Sequence, residues 1–488
     1  MDEPSVGDEL TRMRERLATR VIAANHIGSD LVADALRAVP RHLFLPDLPP
    51  AVAYRDDAIV TKRDADGLAI SSSSQPGMMA IMLDQLDLAP GHRVLEIGAG
   101  TGYNAALMRH IVGPSGQVVS VDIDADLVEA ARSHLASAGY PDVITVCADG
   151  AEGCAAHAPY DRLIATVGVS DLAPAWLDQV TPGARIVVPL DVGGTQLSVA
   201  FERSGGHWTS RSLAPCGFIR MRGALAGPEH TVVIQPGLVL RVPEWRDTDP
   251  AALAAALAER GREDSTGVRT GPAQVFFGLS LWLTIHEPRM CLLYEEQPGA
   301  RRPAPPRPAS RSAPRLGRAP LLGPDSWATI GILDGGSLAV LTTAWPAAEW
   351  GHGRPRPSPS FMLMATGFGP QADELAADLA AHVRAWSRAG RPDLDGLHVD
   401  AYPKYPKYPK YPKYPRADEP ADARTPLGAL GSLEALGSSG AEGSLGALGS
   451  LEALGSSGAL GSEAMVAERP RTRFVVYRSQ PGPAGASA

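Results

Sequence analysis

The chain between residues 93 and 102 has the sequence Arg-Val-Leu-Glu-Ile-Gly-Ala-Gly-Thr-Gly. Its first five residues form an apolar run that predicts a β-strand, and residues 103–112 have the apolar spacing of a helix. Glycines between a strand and a helix let the backbone turn sharply and approach a ligand closely. This strand–turn–helix unit predicts one step of a parallel sheet, with a candidate ligand site at its turn.

The same alternation of short apolar runs and amphipathic stretches extends from residue 92 to about residue 205. Predicted strands cover 93–97, 117–121, 143–146, 162–166 and 184–189, and predicted helices cover 103–112, 125–138 and 172–179. Helical stretches within 8–47 precede this region, and antiparallel strands at 196–201 and 207–213 follow it. The pattern predicts an α/β fold, a mostly parallel, doubly wound sheet with helices on both faces.

Length and composition predict more than one folded unit. The chain has 488 residues, of which 44% are hydrophobic, and a formal net charge of −9. That length favours two domains, and the acidic balance argues against a nonspecific nucleic-acid binder. The four cysteines form no CxxC pair, so no metal site is expected. With no signal peptide and no long apolar stretch, we expect a cytoplasmic protein that makes no membrane contact.

The second half of the chain predicts a different architecture. Strand-like runs at 232–242, 275–285, 290–294, 330–343 and 360–365, with helices at 249–260 and 372–389, indicate an α+β unit over 228–400. Residues 401–463 hold a Tyr-Pro-Lys array and an exact repeat of 428–441 at 446–459, and this composition predicts a disordered insert. A strand at 472–477 suggests that residues 464–480 complete the second unit.

Acidic residues at strand ends suggest which ligand the glycine turn binds. Gly98, Gly100 and Gly102 follow the GxGxG spacing, with an acid two residues earlier, that methyltransferases use around their cofactor. Asp122 ends the next strand and is predicted to accept the ribose hydroxyls, although a helix N-cap is the alternative role. Asp149-Gly150 is predicted to bind adenine, although an Asp-Gly turn, which this dipeptide often makes, is the alternative. Together these residues predict S-adenosylmethionine as cofactor.

Residues 8–224 resemble the protein-L-isoaspartate O-methyltransferase family, a class I, Rossmann-like methyltransferase fold. The most diagnostic match is Ser74-Gln75-Pro76-Gly77 ahead of the glycine turn. Further matches are Ala38-Val39-Pro40-Arg41, Ala53-Tyr54-Arg55-Asp56, Ala158-Pro159-Tyr160-Asp161 and Pro182-Gly183-Ala184-Arg185. The resemblance implies that Ser74 is the active-site serine and that Gln75 and Gln196 lie near the substrate. The domain is assigned to residues 1–227.

Two features depart from the repair enzymes of this family. Arg220 replaces a Pro in the segment Phe218-Ile219-Arg220-Met221, beside the expected substrate groove. The second half faintly resembles the C-terminal extension of members that modify ribosomally made peptides, such as lanthipeptides or graspetide-like precursors. That likeness is carried by Ser280-Leu281-Trp282-Leu283, Thr366-Gly367-Phe368-Gly369-Pro370 and Trp386, for which ordinary core packing is the alternative.

These observations predict a carboxyl O-methyltransferase acting on an aspartyl or isoaspartyl residue of a peptide or protein. An acceptor carboxylate with a pKa near 3.9 is already ionised at neutral pH, so Ser74 would orient it rather than deprotonate it. The methyl ester formed can then cyclise to a succinimide. Peptide tailoring is the first interpretation of the substrate. General repair of isoaspartyl damage and a non-catalytic binding module are the alternatives.

Overall fold

The structure, a computed structural model, describes residues 5–65, 69–227, 231–235, 238–242, 248–271, 274–295, 327–344, 360–404 and 464–478. Within these ranges the helices, in chain order, are α1 Val6–Asn25, α2 Asp30–Ala38, α3 Pro50–Ala53, α4 Pro76–Leu86, α5 Tyr103–Val112, α6 Ala125–Ser137, α7 Pro174–Gln179, α8 Pro250–Ala258, α9 Ser280–His286 and α10 Ala372–Arg388. No helix in the described ranges is long and apolar enough to cross a bilayer.

The strands extend over both halves of the chain. In chain order they are β1 Ile59–Arg63, β2 Ala69–Ser73, β3 Arg93–Ile97, β4 Gln117–Asp122, β5 Ile144–Cys147, β6 Tyr160–Ala165, β7 Val180–Asp191, β8 Gln196–Ser204, β9 His207–Cys216, β10 Thr231–Gln235, β11 Leu238–Arg241, β12 Arg262–Thr270, β13 Met290–Glu295, β14 Trp327–Asp334, β15 Ser337–Ala344, β16 Phe361–Phe368, β17 Leu397–Pro403, β18 Ala464–Glu468 and β19 Thr472–Arg478. β1 and β2 form a separate hairpin.

A ten-stranded sheet in the order β18-β19-β17-β9-β8-β7-β6-β3-β4-β5 forms the centre of the molecule. The five neighbouring strands β7, β6, β3, β4 and β5 are parallel, and β8 and β9 return as antiparallel neighbours. Adjacent residues of β3 face opposite cores: Val94 packs with α4 and α5, and Leu95 packs with α7. Both faces are therefore buried, which confirms the predicted doubly wound α/β fold.

The C-terminal strands correct one prediction. The strand predicted at 472–477 does not complete the second unit: β19 pairs with β17 in the first sheet, from Leu397 opposite Arg478 to Pro403 opposite Thr472. Phe474 and Val476 enter the same core as the parallel strands. Pairing across such a long intervening segment leaves no local signal in the sequence, because the strands meet only through tertiary packing.

The start of the Tyr-Pro-Lys array is also corrected. Tyr402 and Pro403 were predicted to avoid ladder pairing, yet both lie in β17. β17 pairs with β9 only at Asp400 and Ala401. Pro403 has no N–H to donate, but it lies beyond this pairing, so no hydrogen bond to β9 is lost. The rest of the array and the repeats at 428–441 and 446–459 lie outside the described residues.

The second half forms an antiparallel sheet of seven strands, in the order β10-β11-β13-β14-β15-β16-β12, covered by α8 and α10. The strand predicted at 275–285 is wrong: Val275–Leu279 is a π-helical turn that continues into α9. A continuous apolar run fits a buried helix as well as a strand. Leu281 of α9 packs into the core of the first sheet, and the Thr195 and Ser280 hydroxyls are 2.6 Å apart. Helix α9 thus connects the second unit to the core of the first sheet.

Candidate active site

The glycine turn after β3 lies at the carboxyl edge of the parallel strands. Gly98 and Gly100 have φ angles of 101° and 51°, which favour glycine, and a Cβ on Gly98 would lie 2.7 Å from the Thr166 Oγ1. Both glycines line a cleft. Gly102, also predicted to bind the cofactor, is instead directed away from the cleft wall, where a Cβ would lie 3.2 Å from the Ala131 carbonyl oxygen.

The cleft encloses about 820 Å³ of empty space, part of it open to solvent. That volume falls within the range of small-molecule and cofactor sites. Strand ends and the glycine turn form one wall, through residues 97–101, 121–123 and Gly150. Residues 70–74 of the β1–β2 hairpin and residues 219–222 form the facing wall. Chain segments distant in sequence therefore enclose one space at the edge expected for a ligand site in this fold.

Asp122 ends β4 beside the glycine turn and lines the cleft. Its Oδ2 accepts a hydrogen bond from the Gly100 N–H at 3.0 Å, and its Oδ1 accepts one from the Asp124 N–H at 3.2 Å. A carboxylate has about four lone-pair sites, so further acceptor capacity remains for hydroxyl donors. The N-cap position of α6 is occupied by Asp124 rather than by Asp122. This geometry disfavours the alternative role as a cap.

Asp149 and Gly150 separate in the structure. Gly150 lies in the cleft wall, where a Cβ would meet the Ile97 Cγ2 at 2.5 Å. The Asp149 carboxylate is directed elsewhere: it accepts hydrogen bonds from the Ala151 N–H at 2.9 Å and the Ala224 N–H at 2.7 Å. Asp149 caps the 3₁₀ turn Gly150–Glu152, and its hydrogen bond with Ala224 connects the segment after residue 222 to that turn. The turn that was the alternative for Asp149 is present, and the predicted contact of its carboxylate with adenine stays a prediction.

Ser74 lies in the wall of the cleft that faces the glycine turn. Among the described residues the Ser74 hydroxyl has no hydrogen-bond partner, whereas the Ser71 hydroxyl accepts a hydrogen bond from the Thr61 hydroxyl at 3.3 Å. The fully buried Arg41 donates to the Ser74 carbonyl oxygen at 3.0 Å and to the Ala53 carbonyl oxygen at 2.9 Å. The backbone of Ser74 is thus fixed while its side chain remains available to a ligand.

The two glutamines predicted near the substrate lie outside the cleft wall. Gln75 is exposed at the start of α4. Gln196 holds the segment opposite it: its Oε1 accepts from the Phe218 N–H at 2.7 Å, and its Nε2 donates to the Phe218 carbonyl oxygen at 3.2 Å. Two residues on, Arg220 lines the cleft and forms an ion pair with Asp191 at 2.9 Å. Gln196 therefore positions the segment that carries Arg220.

The first part of the chain matches known proteins. Residues 12–225 match the family model described as protein-L-isoaspartate(D-aspartate) O-methyltransferase. A protein-L-isoaspartate O-methyltransferase from Methanopyrus kandleri is 37% identical over 43% of this chain and 92% of its own length. One from Hyperthermus butylicus is 37% identical over 44% and 91%. The chain belongs to the protein-L-isoaspartate O-methyltransferase family.

Enzymes of this family use S-adenosylmethionine, so the chain is an S-adenosylmethionine-dependent methyltransferase. The cleft fits that cofactor, because Gly98, Gly100 and Gly150 allow close approach and Asp122 presents carboxylate acceptors. A solved protein-L-isoaspartate O-methyltransferase aligns at 21% identity with a TM-score of 0.42, over 79% of this chain and 96% of that one. The fold assignment rests on the strand order described above.

The sequence interpretation missed a cluster of charged side chains around Arg222, which lines the methyltransferase cleft. The Lys62 ammonium is 2.9 Å from the Asp124 carboxylate, and Arg222 donates two hydrogen bonds to that carboxylate at 2.8 and 3.1 Å. Hydrogen bonds from Arg222, and then from Lys62, lower the pKa of the Asp124 carboxyl. An Asp-Gly pair at 66–67, which follows the β-branched run Ile59-Val60-Thr61, is a hairpin signal that could have located Lys62.

Glu96 is the acid that precedes the glycine turn, and it is buried beneath the cleft. Asn104 donates to its Oε1 at 2.8 Å and the Ser120 hydroxyl donates to its Oε2. Burial raises the pKa of this carboxyl to about 7. The side chain therefore ties β3 to β4 and α5 from below the turn, where it holds Gly98 and Gly100 in place.

Proposed function

We propose that this methyltransferase esterifies the carboxylate of an aspartyl or isoaspartyl residue within a peptide chain. The observation that carries the proposal is the unpaired Ser74 hydroxyl, which opens into the same cleft as Gly98, Gly100 and Asp122. A hydrogen-bond donor facing the cofactor wall is what an anionic acceptor requires for alignment.

Four residues would hold the cofactor, Gly98, Gly100, Asp122 and Gly150. S-adenosylmethionine supplies a methyl group activated by the positive sulfur to which it is bonded. The acceptor carboxylate is ionised at neutral pH, so no general base is needed. Ser74 donates a hydrogen bond to one carboxylate oxygen and leaves the other directed at the methyl group. Arg41 fixes the Ser74 backbone, so that the hydroxyl is oriented before the acceptor arrives.

The product ester reacts further without the enzyme. The backbone nitrogen of the following residue attacks the ester carbonyl carbon and forms a carbon–nitrogen bond. Methanol leaves with the proton from that nitrogen, and a succinimide remains. Hydrolysis of this succinimide ring gives aspartate or isoaspartate. The same methylation reaction can therefore serve the repair of isoaspartyl damage or the modification of a peptide.

We further propose that the substrate is a dedicated peptide and that general repair is the secondary activity. Support comes from the second half of the chain, which packs into the core of the methyltransferase sheet and contributes Arg241 and Arg469 beside Arg220. Charged groups added beside Arg220 give a basis for distinguishing one peptide substrate from another. The cytoplasmic location expected from the sequence stays a prediction.

A methylation assay with mass detection tests both levels of the proposal. The full chain is incubated with cofactor and matched peptides that contain isoaspartate, aspartate or asparagine at one position. We expect one added methyl group, removed by mild base, on an acidic acceptor and none on asparagine. A methyl group on a peptide without a free carboxylate would overturn carboxyl methylation. Equal kcat/KM for generic isoaspartyl peptides and for a cyclised precursor would overturn the dedicated substrate.

A further inference from the structure

A second cleft adjoins the first and shares Arg220 with it. It encloses about 350 Å³ of empty space, partly open to solvent, and its wall includes Asp191, Arg220, Arg241 and Arg469. Arg220 lines both clefts, so the two spaces meet at its side chain. A peptide held with one residue at Ser74 would therefore pass Arg220 and reach this second space within a few residues, at roughly 3.3 Å per extended residue.

Three separate parts of the chain bring the arginines together. Arg220 follows β9, Arg241 ends β11 in the second sheet, and Arg469 lies in the turn between β18 and β19. That turn is fixed to the first sheet, because the buried Asp171 accepts a hydrogen bond from the Arg471 N–H at 2.8 Å. The second cleft thus depends on the added half of the chain.

Among the described residues that line this cleft, three are arginines and one is a carboxylate. The Asp191 carboxylate is occupied on both oxygens, by the Gly194 N–H at 2.7 Å and by Arg220 at 2.9 Å. Within the described ranges, neither Arg241 nor Arg469 has an ion-pair partner, and the Nε of each is buried without a hydrogen-bond partner. Partly buried guanidinium groups without a counter-charge are costly, and an anion that reaches them removes that cost.

We propose that the second cleft binds another carboxylate of the peptide substrate, near the residue that is methylated. The inference rests on the proposed peptide-methylating function. A carboxylate matches the planar, forked donors of an arginine, which bind it through two parallel hydrogen bonds. The methyltransferase therefore selects peptides that carry an acidic side chain or a C-terminal carboxylate a few residues from the acceptor.

Peptide pairs separate the two sources of that carboxylate. One set carries a single Glu or Gln at each of the three positions on either side of isoaspartate, with an amidated C-terminus. A second set has Gln throughout and a free or amidated C-terminus. Binding to the full chain with saturating S-adenosylhomocysteine is followed by fluorescence anisotropy. We expect one acidic peptide to bind at least about tenfold tighter than its Gln partner, with a smaller difference at high salt.

Variants link the preference to these arginines. The double variant Arg241→Gln with Arg469→Gln should lose the preference and keep the affinity for the neutral peptide. Arg388→Gln, the same charge change at an exposed position of α10, should keep both. Arg469→Glu should bind a Lys-flanked peptide more tightly than wild type does. A gain of this kind cannot arise from misfolding.

Equal binding of all Glu and Gln pairs by the wild type, together with no effect of the free C-terminus, would overturn the inference. A preference that survives in the double variant would do the same. The binding readout also separates the inference from the proposed function. Arginine-dependent binding without methylation would reject the function and keep the second cleft, and methylation with no preference would reject the cleft and keep the function.

Discussion

The two arms of the ten-stranded sheet differ in what holds them and in what they supply. The parallel arm, from β5 to β7, is built by short crossovers, and its strand ends carry the glycine turn and Asp122. In the antiparallel arm, the hairpin of β18 and β19 pairs with β17, and β17 pairs with the much earlier β9; the turn between β18 and β19 carries Arg469. The wall of the cleft that would hold the cofactor is therefore formed by segments close in sequence. Arg469, which would help to select a substrate, is placed by pairing between strands far apart in the chain.

Removal of one core side chain from the antiparallel arm tests whether the arms form a single body. Phe474 is buried in the core that Leu95 and Trp176 share. Phe474→Ala should lower the free energy of unfolding by about 3–5 kcal/mol. Denaturant unfolding followed with bound S-adenosylhomocysteine measures it. Val233→Ala, at a side chain 61% exposed, is the control and should change stability by less than about 0.5 kcal/mol. An unchanged denaturant midpoint of unfolding for Phe474→Ala would mean that the antiparallel arm does not share the core of the parallel arm.

In the parallel arm, two glycines with similar φ angles allow the effect of backbone strain to be separated from the effect of lost cofactor contact. Gly98 and Gly139 have φ angles of 101° and 88°, but only a Cβ at Gly98 would meet other atoms within 4 Å. Gly139→Ala should lower stability by about 1–2 kcal/mol, and Gly98→Ala should lower it further, because its Cβ would also lie 2.7 Å from the Thr166 Oγ1. Only Gly98→Ala should weaken cofactor binding, at least about tenfold by calorimetry. Equal cofactor affinity in the two variants would remove Gly98 from the cofactor site.

The buried Glu96 predicts a pH dependence that belongs to the parallel arm. Its pKa is about 7 in the folded chain against an ordinary value of 4.5, so the unfolded chain loses this proton at lower pH. The Glu96 contribution therefore lowers stability as pH rises from about 4.5 to 7. Glu96→Gln should remove this slope and be more stable than wild type by at least about 1 kcal/mol above pH 7. Parallel stability curves for the two proteins across this window would contradict the assignment.

How far the sequence could predict the molecule follows from the range of each interaction. The β3–turn–α5 unit and the cleft position of Gly98 depend on neighbours in sequence, and both were predicted. The pairing partner of β19 depends on packing across a long insertion. The sequence therefore assigned β19 to the second unit, whereas it pairs within the first sheet. The sequence also could not predict the direction of individual side chains. Asp149 and Gln196 lie near the expected places, but their polar atoms form hydrogen bonds with backbone groups.

The smallest effect is expected at the insert between the strands of the antiparallel arm. Replacing residues 405–463 by a flexible linker should leave activity and melting temperature nearly unchanged. Lys404 bonds to Arg471, and Ala464 pairs with Tyr477. The ends are therefore roughly 20 Å apart along β19, a span that suits about twelve Gly/Ser residues. A shorter linker is the strained control. Loss of activity with the matched linker would give the insert a function.

The central claim, that Ser74 orients an acceptor carboxylate against the cofactor wall, is tested most directly by kcat of Ser74→Ala on an isoaspartyl peptide. Ser71→Ala is the matched control, because its hydroxyl is already bonded to Thr61 in the hairpin. We expect kcat of Ser74→Ala to fall about a hundredfold, with unchanged affinity for S-adenosylhomocysteine and near-normal turnover in Ser71→Ala. Wild-type kcat in Ser74→Ala would contradict the account.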